Sequence, residues 1–248
     1  MALEDENNVL LTIDIGNTAV KAALFCDGHL VRSIVGRDVG FNQVKTLFES
    51  SSAEGICYCC VGTDRDAISD KLGSLGVPVM RLTSDTPLPI AVDYDRSTLG
   101  VDRVAAAVGV SSATPVLIVD AGTAVTIDLV ADGRFLGGNI SPGLRLRFRS
   151  LNAFTSRLPR VFPEGDIPAF GYDTRTAIRS GVVNGLIAEI TAAYNAVKTK
   201  YENLELVLTG GDASLIGPML ESNGVNFIAD SEAVGRGLTR IYNYNKNL

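Results

Sequence analysis

Two short Asp-x-Gly segments carry residues that could bind a phosphorylated ligand. Asp14-Ile15-Gly16-Asn17-Thr18 and Asp120-Ala121-Gly122-Thr123 each lie between two apolar runs. A hairpin turn with glycine presents consecutive backbone N–H groups, which form an anion-binding concavity. Thr18 and Thr123 add hydroxyl donors, Lys21 adds a positive charge, and the aspartates would hold a cation that phosphate also touches. The two segments therefore predict a site for a nucleoside triphosphate with Mg²⁺, although the P-loop pattern G-x-x-x-x-G-K-[ST] is absent.

One such turn is weak support by itself, because Asp and Gly are common in hairpins for structural reasons alone. The repetition of the segment and a third feature favour binding. The third feature is the pair Gly210-Gly211, which follows the apolar run Leu206-Val207-Leu208 and precedes a helix-like segment. A glycine pair at that place lets the backbone approach a flat ligand such as adenine or ribose. Together the three segments predict ATP binding.

A carboxylate is the expected acid–base group of this chain. There is one histidine, His29, so a Ser–His–Asp hydrolase or a His-rich metal site is disfavoured. Three of the four cysteines lie in the apolar run Cys57–Cys60, which predicts a buried strand with reduced thiols. One carboxylate of interest, Asp102, begins an Ala-rich helix, where such a residue can serve simply as a cap.

The elements that must position these residues repeat along the chain. Each Asp-x-Gly segment is followed by a further turn, at Asp27-Gly28 and at Asp132-Gly133, and by another strand-like run. This repetition predicts an α/β protein with two duplicated domains, residues 1–114 and 115–248. The last helix, from near Ser231, could fold back onto the first domain.

A long helix is predicted from about Thr174 to Tyr201, with an apolar stripe that repeats every four residues: Ile178, Val182, Leu186 and Ile190. A neighbouring face carries the small residues Ala177, Gly181 and Gly185. That face fits either close packing within one chain or the interface of a symmetric dimer.

Composition excludes several classes of function. The 248 residues contain 22 Lys and Arg against 28 Asp and Glu, which gives a net charge of −6 and disfavours nucleic-acid binding. No apolar run reaches the roughly 18–20 residues that a membrane span needs. The acidic start Met1–Glu6 is the reverse of a signal peptide, so we expect a cytoplasmic protein without membrane or nucleic-acid partners.

The motifs, taken in order, resemble those of type III pantothenate kinases. They are Asp14–Thr18 with Lys21, Leu99–Arg103, Asp120–Thr126 and Gly137–Gly143, and the resemblance covers about Leu10 to Tyr242. That family belongs to the acetate and sugar kinase/Hsc70/actin superfamily, which implies two ribonuclease H-like domains with mixed sheets around a central ATP cleft. The implied activity is ATP-dependent phosphorylation of pantothenate to 4′-phosphopantothenate, the first step of coenzyme A biosynthesis, by a homodimer.

The resemblance also implies roles for individual residues. The ATP-binding set would be Asp14, Ile15, Gly16, Asn17, Thr18, Ala19, Val20, Lys21 and Thr123, to which the glycine pair Gly210-Gly211 is added from its own pattern. Asp102 would be the catalytic base, and Tyr94, Gly100, Val101, Asp102, Arg103 and Thr174 would contact pantothenate. Asp120 would bind a monovalent cation, K⁺ or NH₄⁺, and Asp14 is a candidate Mg²⁺ ligand.

Several of these residue roles, and the function itself, leave a second interpretation open. The chain has Ser97 where the family often has Pro and Asp173 where it often has Asn, so Thr176 is an alternative to Thr174. Arg103 could form a bidentate pair with the pantothenate carboxylate, or a salt bridge with Asp102 or Asp95. The basic run from Arg145 to Arg160 fits either a solvated face opposite a second subunit or a lid over ATP. A small sugar or acetate-type kinase, or a non-catalytic nucleotide-binding regulator, are the alternative functions.

Overall fold

The computed structural model describes residues 8–62 and 67–248 of the chain. The acidic segment Met1–Glu6, used above for the prediction of a cytoplasmic protein, lies outside the described residues. In chain order the elements are β1 (Val9–Ile15), β2 (Val20–Cys26), β3 (His29–Gly36), α1 (Phe41–Glu49), β4 (Gly55–Cys60), α2 (Ile68–Leu72), β5 (Val79–Arg81), β6 (Ala91–Val92), α3 (Val101–Val110), β7 (Val116–Ala121), β8 (Ala124–Ala131), β9 (Arg134–Pro142), α4 (Leu144–Ala153), α5 (Thr174–Lys198), β10 (Glu205–Thr209), α6 (Ala213–Ser222), β11 (Ile228–Ala229) and α7 (Ala233–Lys246).

The chain divides into two compact units. Unit 1 contains the described residues up to Ser111 together with Glu232–Leu248, and unit 2 contains Ser112–Ser231. The sequence prediction placed residues 115–248 in one domain, whereas here the C-terminal helix α7 lies in unit 1. Within the described part of the chain, no helix is both long and apolar enough to cross a membrane.

Helix α7 joins unit 1 because its backbone packs directly on that of α3. A Cβ on Gly109 of α3 would overlap the carbonyl of Ala233, and one on Gly237 of α7 would overlap the carbonyl of Ala105. Glycine at both positions therefore lets the two helices approach closely. The segment that carries Asp102 is held in this way by the end of the chain.

The sheet of unit 1 has the strand order β3-β2-β1-β4-β5. β1, β2 and β3 are consecutive antiparallel neighbours, while β4 pairs parallel with β1 and with β5. One face of β1, with Leu11, Ile13 and Ile15, packs in a core that includes residues of α1 and α2. The strand therefore alternates between this core and the opposite face, which carries Thr12 and Asp14.

Unit 2 repeats this arrangement, with its strands in the order β9-β8-β7-β10-β11. Both units have a two-residue Asp-Gly turn after their second strand, and all four turn residues have positive φ: Asp27, Gly28, Asp132 and Gly133. A register shift also occurs at the corresponding place, Leu24/Phe25 in unit 1 and Leu129/Val130 in unit 2. The duplicated α/β fold with mixed sheets is therefore confirmed.

The core of unit 2 lies between its sheet and the helices α5 and α6. The predicted stripe of α5 is buried at all four positions, Ile178, Val182, Leu186 and Ile190. On the small-residue face, the backbone of Ala177 lies against Gly171, whereas a Cβ on Gly181 or Gly185 would meet nothing within 4 Å. Close packing within one chain, the first of the two alternatives, is therefore wrong at Gly181 and Gly185.

Candidate active site

The carboxylate of Asp14 lies at the end of β1, where the sheet brings two other functional groups beside it. In the strand register Asp14 is opposite Lys21 of β2 and opposite Cys59 of β4. The Cys59 thiol, which is fully buried, donates a hydrogen bond to Asp14 Oδ1 at 3.4 Å. A carboxylate, an ammonium and a thiol thus meet at the base of the first Asp-x-Gly turn.

The turn itself is supported from below by the segment that follows β4. The backbone N–H groups of Val61 and Gly62 both donate to the carbonyl of Ile15, at 3.1 and 3.2 Å. A Cβ on Gly62 would overlap the carbonyl of Gly16, so the two backbones touch. Gly16 N–H donates to Ala19 O at 3.1 Å and closes the turn. This packing fixes the backbone of the segment predicted to bind phosphate.

Asp14 is a buried carboxylate whose charged form is disfavoured. Burial and the neighbouring charge of Asp102 raise the pKa of Asp14, the Cys59 thiol and Lys21 lower it, and the net result is a rise from 3.8 to about 6. Asp102 and Asp14 therefore lie close enough for their charges to interact. Two adjacent carboxylates of this kind are a fitting environment for a cation, whose charge would offset their mutual repulsion.

Asp102 occupies the first turn of α3, two residues after Gly100. Its Oδ1 accepts the backbone N–H of Arg103 at 2.8 Å. Burial raises the pKa of Asp102, whereas the N–H groups of Arg103 and of Asp102 itself, and the charge of Arg103, lower it. A Cβ on Gly100 would come within 2.6 Å of Asp102 Oδ1, so glycine leaves space for this carboxylate.

Arg103 is buried, with 6% of its surface exposed, and its guanidinium lies over the ring of Tyr94 at 5.5 Å from the centroid. This stacking fixes a planar cation of the type that binds carboxylates in a bidentate manner. The Asp95 carboxylate is engaged locally, since Ser97 donates to it from N at 2.9 Å and from Oγ at 2.7 Å. The structure thus brings Tyr94 and Arg103 together beside Asp102.

Lys21 forms an ion pair with Glu232, a residue that the sequence did not indicate. Lys21 Nζ lies 2.6 Å from Glu232 Oε1, and both side chains are mostly buried. Glu232 directly precedes α7, so the C-terminal segment contributes a carboxylate to this region of unit 1.

Asp120 occupies the corresponding place in unit 2, on β7 before the second Asp-x-Gly turn. It is opposite Thr126 of β8 and opposite Thr209 of β10 in the register. The turn closes through a hydrogen bond from Gly122 N–H to Ala124 O at 3.0 Å. On its other side, Gly143 N–H donates to Thr123 O at 3.0 Å, which fixes the residue predicted to contact ATP.

Gly210 packs against the Asp120 carboxyl group, as Gly62 packs against the first turn. Its φ is +94°, and a Cβ would overlap both Asp120 Oδ1 and the carbonyl of Ala121. The neighbouring Gly211 has nothing within 4 Å of such a Cβ. Glycine is thus required at position 210 by the positive φ and by the close contact with Asp120, while Gly211 leaves open space above the turn.

Asp212 directly precedes α6, but its side chain makes no capping hydrogen bond to that helix. Its carboxylate instead lies 4.0 Å from Arg145 Nε. Burial raises the pKa of Asp212 and the charge of Arg145 lowers it. In the same basic run, Arg147 binds Glu189 of α5 and the carbonyl of Pro142 within its own chain. The role of the run as a whole stays a prediction.

The two candidate threonines at the start of α5 differ in their environment. Thr176 is buried, and its N–H donates to Asp173 Oδ1 at 2.7 Å while its hydroxyl accepts the Asp173 N–H at 3.0 Å. These reciprocal bonds form a helix cap. Thr174 is exposed. The capping role of Thr176 therefore favours Thr174 as the residue available to a ligand.

Among the described residues there is no group of three or more His, Cys, Asp or Glu that could hold a metal by itself. Mg²⁺ in kinases is usually bound by one or two carboxylates together with the substrate phosphates and water. Asp14, with Asp102 nearby, is a donor set of that kind. The residues therefore fit a magnesium ion that arrives with a nucleotide.

Solved structures with the same fold include kinases. A Campylobacter jejuni protein, provisionally described as a Baf family transcriptional activator, aligns with a TM-score of 0.64 at 24% identity over 96% of this chain and 100% of that one. A ROK family glucokinase from Streptomyces griseus, solved with glucose and AMPPNP, aligns with a TM-score of 0.54 at 11% identity over 97% of this chain and 100% of that one. At these identities the likeness concerns the fold alone.

Sequence comparison identifies much closer relatives. The sequence model of type III pantothenate kinases matches residues 10–196. Proteins named type III pantothenate kinase from Phocaeicola vulgatus and Bacteroides fragilis are 38% and 40% identical over 243 and 240 residues. These alignments cover 96% and 95% of this chain, and 99% and 98% of the relatives.

Proposed function

Because this chain belongs to the type III pantothenate kinase family, we propose that Asp102 is the base of its phosphoryl transfer and that Asp14–Lys21 bind the phosphates of ATP. The chain is a pantothenate kinase, which uses ATP to phosphorylate pantothenate in coenzyme A biosynthesis. The observation that carries the residue assignment is the place of Asp14 in unit 1, where its charge interacts with Asp102 and with Lys21.

Asp102 accepts the proton of the pantothenate hydroxyl as the hydroxyl oxygen attacks the γ-phosphorus. The new oxygen–phosphorus bond forms while the bond from that phosphorus to the β,γ-bridging oxygen breaks, and ADP leaves. Burial raises the pKa of Asp102 toward the range in which a carboxylate is an effective base. In a loose transition state the proton moves late, so the fixed position of Asp102 matters more than its basicity.

The first turn binds phosphate through backbone N–H groups, the Thr18 hydroxyl and Lys21. Its backbone is held rigid by Gly62, so these donors are preorganised for an anion. Mg²⁺, held by Asp14 and the nucleotide, would neutralise charge on the phosphates. The carboxylate pair Asp14 and Asp102 supports this role, since each is destabilised in its charged form when no cation is present.

Arg103 recognises the pantothenate carboxylate. A planar guanidinium can donate two parallel hydrogen bonds to a carboxylate, and its stacking on Tyr94 holds the plane in one orientation. Gly100 and Val101 line the same pocket at the start of α3. Sugars lack a carboxylate, so a buried Arg103 favours pantothenate over the sugar substrates of fold relatives.

In unit 2, Asp120 binds a monovalent cation, Thr123 contacts ATP, and Gly210-Gly211 approach the nucleotide. The contact between Gly210 and Asp120 supports this assignment, because a larger residue would displace the carboxylate. The open space above Gly211 suits a flat ligand.

The enzyme acts as a homodimer in the cytoplasm, with Thr174 reaching the pantothenate of the partner subunit. The exposed small-residue face of α5 supports the dimer, since a second helix could approach it closely. Phe170 and Tyr172, just before α5, are 91% and 74% exposed and would be covered in such an interface.

A coupled assay of ADP release tests the function. We expect release that depends on pantothenate and not on glucose, other sugars or acetate. Activity with a sugar or acetate alone would identify a different kinase of this fold. ATP binding without ADP release on any of these substrates would identify a non-catalytic regulator.

The base is tested with Asp102→Asn, which keeps the shape of the side chain. We expect kcat to fall by about 100-fold or more, the usual contribution of a general base, while ATP binding measured by calorimetry is nearly unchanged. Asp95→Asn, a carboxylate engaged by Ser97, is the matched control and should retain activity. Turnover like that of the wild type in Asp102→Asn would exclude Asp102 as the base.

The monovalent cation is tested by replacing Na⁺ with K⁺ or NH₄⁺ at constant ionic strength. We expect K⁺ and NH₄⁺ to increase kcat/KM in the wild type and to have no effect in Asp120→Asn. The same rate in all three salts would contradict the role of Asp120.

A further inference from the structure

The ion pair between Lys21 and Glu232 connects the proposed phosphate-binding segment to the C-terminal helix. Lys21 Nζ and Glu232 Oε1 are 2.6 Å apart, and the side chains are only 21% and 17% exposed. Another ion pair of unit 1, Lys45–Glu49, is longer at 3.6 Å, with side chains 48% and 59% exposed. Exposed pairs of the latter type contribute little, whereas a mostly buried pair restrains both side chains more strongly.

The position of Glu232 is determined by the packing of α7 on α3. Ala233, the next residue, lies against Gly109, and Gly237 lies against Ala105, in both cases at backbone contact distance. Arg236 Nε also donates to Gly109 O at 2.9 Å. Glu232 is therefore attached to a rigid helix pair, and that pair also carries Asp102.

Lys21 interacts with two carboxylates. Asp14 is its cross-strand partner and interacts with it through charge, and Glu232 holds it directly. A lysine ammonium sits on a flexible four-carbon chain, which loses much rotamer freedom when it is fixed on a ligand. Because Glu232 fixes the Lys21 side chain before ATP binds, this loss of rotamer freedom does not weaken ATP binding.

We propose that Glu232 is a positioning residue for phosphoryl transfer, which holds the Lys21 ammonium where it meets the phosphates of ATP. The proposal rests on the assignment of Lys21 to the phosphates made above. Protein kinases use the same device on an unrelated fold, where a glutamate on a helix pairs with the lysine that contacts ATP. Here the glutamate comes from the C-terminal segment, 211 residues away from Lys21 in the sequence.

Two effects of the Glu232 charge oppose each other, and their balance determines the sign of the test. Its negative charge repels phosphate, which would weaken ATP binding. Its direct bond to Lys21 preorganises the cation, which strengthens ATP binding. We expect preorganisation to be the larger effect, and the ATP KM of Glu232→Gln decides between the two.

The test is a double-mutant cycle of Glu232→Gln and Lys21→Met, with the ATP KM, kcat and pantothenate KM measured for each protein. Glu232→Gln should raise the ATP KM by about two- to tenfold, the effect of ordering one long side chain, and leave the pantothenate KM unchanged. In the Lys21→Met background the same substitution should cause no further increase. Glu49→Gln, from the exposed ion pair, is the matched control and should leave the ATP KM unchanged.

The outcomes distinguish this proposal from the proposed function. An unchanged or lower ATP KM in Glu232→Gln, with a raised KM in Lys21→Met, overturns the role of Glu232 and leaves Lys21 as a phosphate ligand. An unchanged KM in Lys21→Met overturns both. An equal rise on Glu232→Gln in both backgrounds means a structural role that does not act through Lys21, and it also overturns the proposal. Urea unfolding midpoints, measured for every variant, establish that the compared proteins are folded.

Discussion

Replacing Asp14 with Asn should stabilise the protein while abolishing its activity. Burial raises the pKa of Asp14 from 3.8 to about 6. At neutral pH the carboxylate is mostly charged, and this buried charge lowers the stability of the folded protein. A carboxyl group with a raised pKa in the folded state contributes stability below its unfolded pKa, and that contribution is lost as the pH rises through the folded pKa. Asn cannot ionise, so Asp14→Asn does not suffer this loss.

The size of the effect follows from the shift. One pKa unit corresponds to about 1.4 kcal/mol, so a shift from 3.8 to about 6 destabilises the wild type by about 3 kcal/mol at pH 8. At pH 4.5 the same relation gives a destabilisation of the wild type of about 1 kcal/mol. The stability advantage of Asp14→Asn should therefore grow by about 2 kcal/mol between these pH values. Any constant effect of the amide cancels in that difference.

Urea unfolding of both proteins at pH 4.5 and pH 8, with chelator and without nucleotide, measures this difference. Asp95→Asn is a control of opposite sign, because the hydroxyl and N–H of Ser97 lower the pKa of Asp95. Its carboxylate contributes stability above the unfolded pKa, which is lost as the pH falls, so the variant should be the less stable protein at pH 8. An advantage of Asp14→Asn that is equal at the two pH values, or that shrinks toward pH 8, would refute the reasoning.

Two further substitutions test the remaining assignments. Arg103→Lys should raise the pantothenate KM about tenfold or more with the ATP KM unchanged, because lysine cannot form the bidentate pair; equal effects on both substrates in steady-state assays would contradict this. Gly210→Ala should destabilise the protein by about 1–3 kcal/mol and remove activation by K⁺, since its φ is +94° and a Cβ would overlap Asp120. Gly211→Ala, with open space, should change neither the urea midpoint nor the K⁺ response, and a similar loss in both variants would exclude a specific role for Gly210.

The local pattern of the sequence was sufficient to predict the strands around both turns. Asp14 and Asp120 each lie between apolar runs with turn residues at fixed places, and these determine hairpins through short-range geometry. The buried stripe of α5, from Ile178 to Ile190, follows in the same way from helical periodicity. The pairing of Arg103 with Tyr94 was accessible only in part, since family resemblance grouped them without indicating that they stack.

Cys59 and Glu232 show what a local pattern does not contain. Cys59 was interpreted as a core thiol, and its hydrogen bond to Asp14 depends on the parallel register of β4 beside β1. A ribonuclease H-like strand order, applied to the sequence, would have placed those strands together. Nothing local to Glu232 indicates Lys21 as its partner, because their contact requires α7 to pack on α3.

The sequence by itself therefore determined the hairpins, the duplicated α/β fold and the family, because each depends on neighbouring residues or on motif order. Only the tertiary structure decided the charge state of Asp14, the partner of Lys21, the capping role of Thr176 and the place of α7 in unit 1. Those properties arise from burial and from contacts between distant segments, and both exist only after the chain has packed.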